Sequence, residues 1–104
     1  RSTLFPYTTL FRSSYIVKTG ERVDTLNAAQ FEREVEAVLE PGIDLEFDCT
    51  DLQYISSSGL RVIQEMMRIV TRKLNGQIKV THVSAPIFKI FHMTGFTRII
   101  TIEK

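Results

Sequence analysis

The 104-residue sequence is poor in the residues that would place it in several large protein classes. Its one cysteine, Cys49, excludes an intramolecular disulfide and fits a reducing compartment. The simplest role for Cys49 is a small buried filler. Two histidines, His82 and His92, have no Cys or His companion at ligand spacing, so no metal site is expected. Tryptophan is absent, and five glycines and three prolines are too few for a fibrous or low-complexity chain. No apolar run approaches the roughly 20 residues of a membrane helix, so no direct membrane insertion is expected. What remains is ordinary globular composition, 43% hydrophobic and 24% charged, with room for one domain and a single modest core.

Residues Thr3 to Ser13 read TLFPYTTLFRS. This stretch resembles the translated sequence of a common DNA-sequencing adapter, although Leu4, Phe5, Tyr7, Leu10 and Phe11 would also suit a natural strand. Residues 1–13 are therefore expected to be a non-native segment and are set aside from functional reasoning. Charge depends on this step. Subtracting Arg1 and Arg12 from 13 basic residues leaves 11 against 12 acidic ones, and the net charge moves from +1 to −1. No cluster of lysine and arginine survives, and no nucleic-acid partner is expected.

Patterning along the rest alternates between two periods. Ser14 to Lys18 is a short β-prone run that stops at Gly20. A loop then feeds a helix with Thr25 or Asn27 as N-cap and an apolar stripe of Ala28, Phe31, Val35, Val38 and Leu39. Pro41-Gly42 stops it. Ile43, Leu45 and Phe47 alternate with Asp44, Glu46 and Asp48, which predicts a strand with one buried face. From Leu60 the period is helical, with Leu60, Ile63, Met66, Met67, Val70 and Leu74 on one face, up to Asn75-Gly76. Ile78, Val80 and His82 predict another strand. Ser84-Ala85-Pro86 opens a third helix whose Ile87, Ile90, Phe91 and Met93 are expected to face the sheet. Thr94-Gly95 ends it, and Arg98 to Ile102 forms the last strand. Strands alternating with helices define an α/β domain, with a mainly parallel sheet of about four strands and right-handed crossovers.

Enzyme signatures are missing. There is no G-x-S-x-G elbow, no phosphate-binding glycine loop and no metal-ligand spacing. No pair of carboxylates stands out, so no catalytic residue is assigned. The unusual local feature is Ser56-Ser57-Ser58-Gly59-Leu60 between a strand and a helix. On residues alone these serines read first as helix caps, since a serine oxygen satisfies one of the orphan N–H groups of a first turn. A second reading is a modification site. A phosphoryl group there would meet free backbone N–H groups and the positive end of the helix dipole, and would put up to two negative charges on a small surface.

The stretch DLEFDCTDLQYISSSGLRVI resembles the strand–loop–helix signature of the STAS family, and more closely that of bacterial anti-sigma-factor antagonists. Arg22 to Ala28 (RVDTLNA) is similar to the family's loop after an early strand. Val83-Ser84-Ala85-Pro86 through Met93-Thr94-Gly95-Phe96 is similar to its later helix and turn. The likeness covers about residues 14–104. It implies phosphorylation at Ser57, with Ser58 or Ser56 as alternatives, and places the helix cap on Ser58. It further implies a partner surface of Asp24, Thr25, Ser56, Ser58, Gly59, Leu60 and Arg61. Three departures are visible. Ser56 stands where the family has an acidic residue, Glu21 is one residue extra, and the chain stops at Lys104 where the family has a further helix, so both ends are expected to be truncated.

The function this resemblance implies is partner switching in the cytoplasm. Unphosphorylated, the domain would hold an anti-sigma factor that is also a serine kinase. That partner would use its own Mg-ATP to phosphorylate Ser57, and a serine phosphatase would reset the site. The domain itself would need no cofactor. An alternative from another class is a STAS regulatory subunit or tail of a membrane transporter, of the lipid ABC or sulfate type, with the serine only a cap. A stressosome-like scaffold module is a third.

Overall fold

The computed structural model describes residues 4–8 and 13–104. Its elements run β1 (Leu4–Thr8), β2 (Ser13–Lys18), β3 (Arg22–Val23), α1 (Ala28–Glu36), β4 (Asp44–Asp48) and β5 (Tyr54–Ile55). They continue with α2 (Ser57–Arg68), β6 (Gln77–Thr81), α3 (Ala85–Met93) and β7 (Thr101–Ile102). Five strands form the main sheet in the order β1-β2-β4-β6-β7. β1 joins antiparallel; β2, β4, β6 and β7 are mutually parallel. The chain thus follows the predicted four-strand parallel pattern, with β1 added along the free edge of β2.

Period-two patterning explains the layering. Leu45 and Phe47 of β4 are buried, and they pair with Tyr15 and Val17 on one side and Ile78 and Val80 on the other. Each step from β2 to β4 to β6 to β7 moves the same way across the sheet, so right-handed crossovers put all three helices on the face those residues share. The Phe31 ring of α1 lies 5.7 Å from the Phe47 ring. Helix α2 contributes Val62, Ile63 and Met66 to the same core, and α3 contributes Ile87 and Phe91. The opposite face carries Asp44, Glu46, Gln77 and Lys79. There Glu46 accepts a 2.6 Å bond from the Thr81 hydroxyl and pairs with Lys79 at 3.8 Å.

Four expectations are corrected by packing. Asn27 holds the N-cap position of α1 but makes no side-chain cap bond; its amide turns back to β3 instead. His82 lies outside β6, leaving the strand with φ of 58°. Met93 is 72% exposed, because it ends α3 on the side away from the buried Phe91 of the same turn. The final strand begins only at Thr101. Phe96 is drawn into the core against Phe91, 5.5 Å between rings, and residues Phe96–Arg98 form a 3-10 turn closed by the Ile99 N–H on the Phe96 carbonyl. At the end of α2 the helix widens into a π turn over Ile69–Lys73. Asn75, with φ of 53°, supplies the left-handed residue there. Gly76 serves a different purpose: a Cβ on it would collide with the Ile43 carbonyl oxygen.

Candidate functional site

The serine triplet is placed by a second, very small sheet. β3 and β5 pair in parallel, Arg22 with Tyr54 and Val23 with Ile55. The Glu21 carbonyl accepts the N–H groups of Gln53 and Tyr54, and the Val23 carbonyl accepts that of Ser56 at 2.9 Å. Because the two strands are parallel, the residues that follow them leave from the same end of the ribbon. Asp24 follows β3 there, and Ser56 and Ser57 follow β5. Two segments more than 30 residues apart in sequence are thereby brought together.

The cap falls on Ser56, not on Ser58 as the sequence suggested. Ser56 has extended backbone (φ −90°, ψ 175°), which simply prolongs β5, and its Oγ accepts the Gly59 N–H at 3.2 Å. Ser58 already lies inside the first turn, half-buried, where its side chain cannot cap. Ser57 is the first helical residue and is exposed; its hydroxyl makes no hydrogen bond to a described residue. Gly59 is buried against the ribbon, and Leu60 is half-buried against the core. Arg61 and Thr25 are exposed.

Asp24 is the centre of its own network. One carboxylate oxygen accepts the N–H groups of Leu26 and Asn27 at 3.0 and 3.1 Å, and the other accepts Arg22 Nε at 3.1 Å. The Asn27 side chain answers from the other direction. It accepts the Asp24 N–H at 2.8 Å and donates to the Arg22 carbonyl at 2.9 Å. The Arg22 hydrogen bond, aided by the two backbone N–H groups, holds the Asp24 carboxyl below the ordinary carboxylate range despite partial burial. The Arg22 guanidinium also lies 4.7 Å from the centre of the Tyr54 ring.

Other chemistry-bearing residues stand apart from this end. Cys49 is buried, and burial with the Asp48 charge beside it pushes its thiol up to about 12. His82 Nδ1 lies 3.5 Å from Asp48, and His92 stacks on Phe88. Among the described residues, no three His, Cys, Asp or Glu side chains form a group that could hold a metal ion. Nor, among them, is any helix long and apolar enough to cross a membrane.

Arg22, Leu26 and Tyr54 were not singled out from sequence. Two-residue strands are too short to show a period, so no pattern marked Arg22 or Tyr54 as neighbours across a ribbon. Leu26 read as one apolar residue in a loop.

With this geometry in view, the class is an α/β domain of parallel strands whose candidate site is a ribbon and a helix start. The STAS domain model matches residues 8–104, and the chain belongs to the STAS family. The anti-sigma-B factor antagonist of Bacillus subtilis (strain 168) is 28% identical over 87 residues, spanning 84% of this chain and 79% of that protein. The anti-sigma factor antagonist SpoIIAA in its unphosphorylated form superposes with a TM-score of 0.76 at 14% identity, covering 100% of this chain and 89% of that one. The Bacillus cell fate determinant SpoIIAA in its phosphorylated form gives 0.68 at 14% identity, covering 100% of this chain and 92% of that one. The murine anion transporter Slc26a9 also contains the fold, with a TM-score of 0.70 at 17% identity over 82% of this chain and 14% of that one.

Proposed function

We propose that this chain is a cytoplasmic anti-sigma-factor antagonist that works by partner switching, with Ser57 as the phosphorylated residue. The observation that carries the reading is the inequality of the three serines. Ser56 spends its hydroxyl on the cap, Ser58 is half-buried, and of the three Ser57 alone is both exposed and free of hydrogen bonds to described residues, at the first helical position. The names of the B. subtilis relative and of SpoIIAA, a fold neighbour solved with and without phosphate, support it.

In this mechanism the unphosphorylated ribbon end docks on an anti-sigma factor that is also a serine kinase, which frees the sigma factor for transcription. The γ-phosphoryl group passes from the partner's Mg-ATP to Ser57 Oγ, which gives up its proton, leaving phosphoserine and ADP. A serine phosphatase returns the hydroxyl by hydrolysis. The chain contributes no catalytic group and no cofactor; it supplies a hydroxyl and a docking surface. The helix start stabilises the new dianion. Set against an interface shaped for a neutral serine, the same charge costs several kcal/mol, whereas tenfold in affinity needs only about 1.4.

The transporter structure favours a second reading, a constitutive STAS tail or subunit in which Ser57 has no switching role. A pull-down from source-organism lysate with wild-type, Ser57→Ala and Ser57→Asp baits separates the two. A small ATPase retained by wild type and alanine but lost with aspartate supports the switch. Equal recovery of one transporter component by all three baits overturns it.

A further inference from the structure

We infer that Leu26, held out by the Asp24–Asn27 turn beside the Arg22–Tyr54 stack, is the apolar anchor of the partner interface. It would insert into an apolar pocket on the protein that reads Ser57; this rests on the partner-switching reading above. Single exposed apolar residues are common on protein surfaces and need no function. Leu26 differs in how it is held. It is 94% exposed, yet its backbone N–H is fixed by Asp24, and the turn is locked again by both ends of the Asn27 amide. The turn consumes backbone groups and the Asp24 and Asn27 side chains; nothing in it requires leucine at position 26. A polar residue would close the same turn.

The surroundings are built the same way. Tyr54 is 45% exposed, and its ring is covered on one side by Arg22, which is itself tied to Asp24. Tyrosine and arginine are the residue types that dominate binding energy at interfaces, and a side chain fixed before docking loses little entropy on docking. The parallel ribbon sends Asp24, and with it the Leu26 turn, out at the same end as Ser56 and Ser57, so a partner covering the turn is offered the serine beside it. Asp24 is then a positioning residue: its carboxylate is already occupied by Arg22 and two backbone N–H groups, and it acts through the leucine it presents. The division of labour is that Leu26 supplies affinity indifferent to charge, while Ser57 supplies the charge that ends the contact.

The experiment takes the protein retained by the wild-type bait, identified and purified, and titrates it against wild type, Leu26→Ala, Met93→Ala and Ser57→Asp. Met93 is the matched control, an exposed apolar side chain on α3. Leu26→Ala is expected to leave the melting temperature unchanged and to weaken Kd tenfold or more, with Met93→Ala within twofold of wild type. Leu26→Ala within twofold of wild type overturns the anchor, and if Ser57→Asp still abolishes binding the switch survives without it. Loss with Leu26→Ala and none with Ser57→Asp keeps the anchor and overturns the switch. A wild-type bait that retains no protein overturns both.

Discussion

Gly59 sits where helix α2 meets the ribbon, and replacing it with alanine tests how the switch end is assembled. A Cβ there would lie 2.7 Å from the Val23 carbonyl oxygen and 2.8 Å from a methyl carbon of Val23 and a methylene carbon of Ile55. Both side chains are β-branched and stiff at χ1. The carbonyl is held as well, because it accepts the Ser56 N–H at 2.9 Å. Relief therefore requires α2 to move off the ribbon, an overpacking cost of about 1–3 kcal/mol. Stretching the Ser56 bond adds about 0.5–1.5 kcal/mol. The better helix propensity of alanine offsets at most about 1 kcal/mol. The net destabilisation expected for Gly59→Ala is about 0.5–4.5 kcal/mol, and at this chain length each kcal/mol lowers Tm by about 4–8 °C. Thermal unfolding followed by circular dichroism reads it directly. A variant melting at or above the wild-type temperature would refute the close approach of helix and ribbon.

Three further outcomes follow from the same geometry. Ser56→Ala should lose about 1 kcal/mol in urea unfolding while Ser58→Ala stays within about 0.5, because only Ser56 caps the helix; the reverse order would return the cap to Ser58. The Asp24 carboxyl, lowered in the folded state chiefly by Arg22, contributes stability that is present above the ordinary carboxylate pKa of about 4 and is lost as pH falls through its lower folded value. An NMR titration should place its midpoint below that of an exposed aspartate, and Arg22→Ala should move it upward. Deleting residues 1–12 removes β1, whose backbone pairs with β2, and should lower the urea midpoint by leaving the β2 edge open. An unchanged midpoint, with no new self-association in sedimentation, would show that the strand is dispensable.

The fold was legible because its periods are clean. Ile43, Leu45 and Phe47 alternate without a break, and Ala28, Phe31 and Val35 repeat at helical spacing, so the sequence announces β4 and α1 and the burial follows. Packing overrode pattern where an element was short. Phe96 could sit in a turn and still reach the core, and no local rule said that it would delay β7 until Thr101. The candidate site was half legible. Three serines before a glycine marked the helix start, but which one caps it depends on where the extended backbone of β5 stops, a tertiary fact set by the Val23 carbonyl. Arg22 and Tyr54 meet only because two dipeptides pair across a long interval, and sequence patterning carries no signal at that length.

The open face of the main sheet bears on how freely this sequence can change. Along β4 the buried Leu45 and Phe47 answer to core volume, while Asp44, Glu46 and Asp48 between them do not. The same strand therefore holds two interleaved sets of positions under separate constraints. Substitution at one parity disturbs the layer that supports α2; substitution at the other meets only solvent and contacts such as Thr81 to Glu46. Mutational tolerance should rise and fall with a period of two along β4, whereas β6 ends with Val80 and Thr81 both buried. The two-residue strands of the ribbon have one buried residue each, Val23 and Ile55, and a change at either reaches the helix start at once.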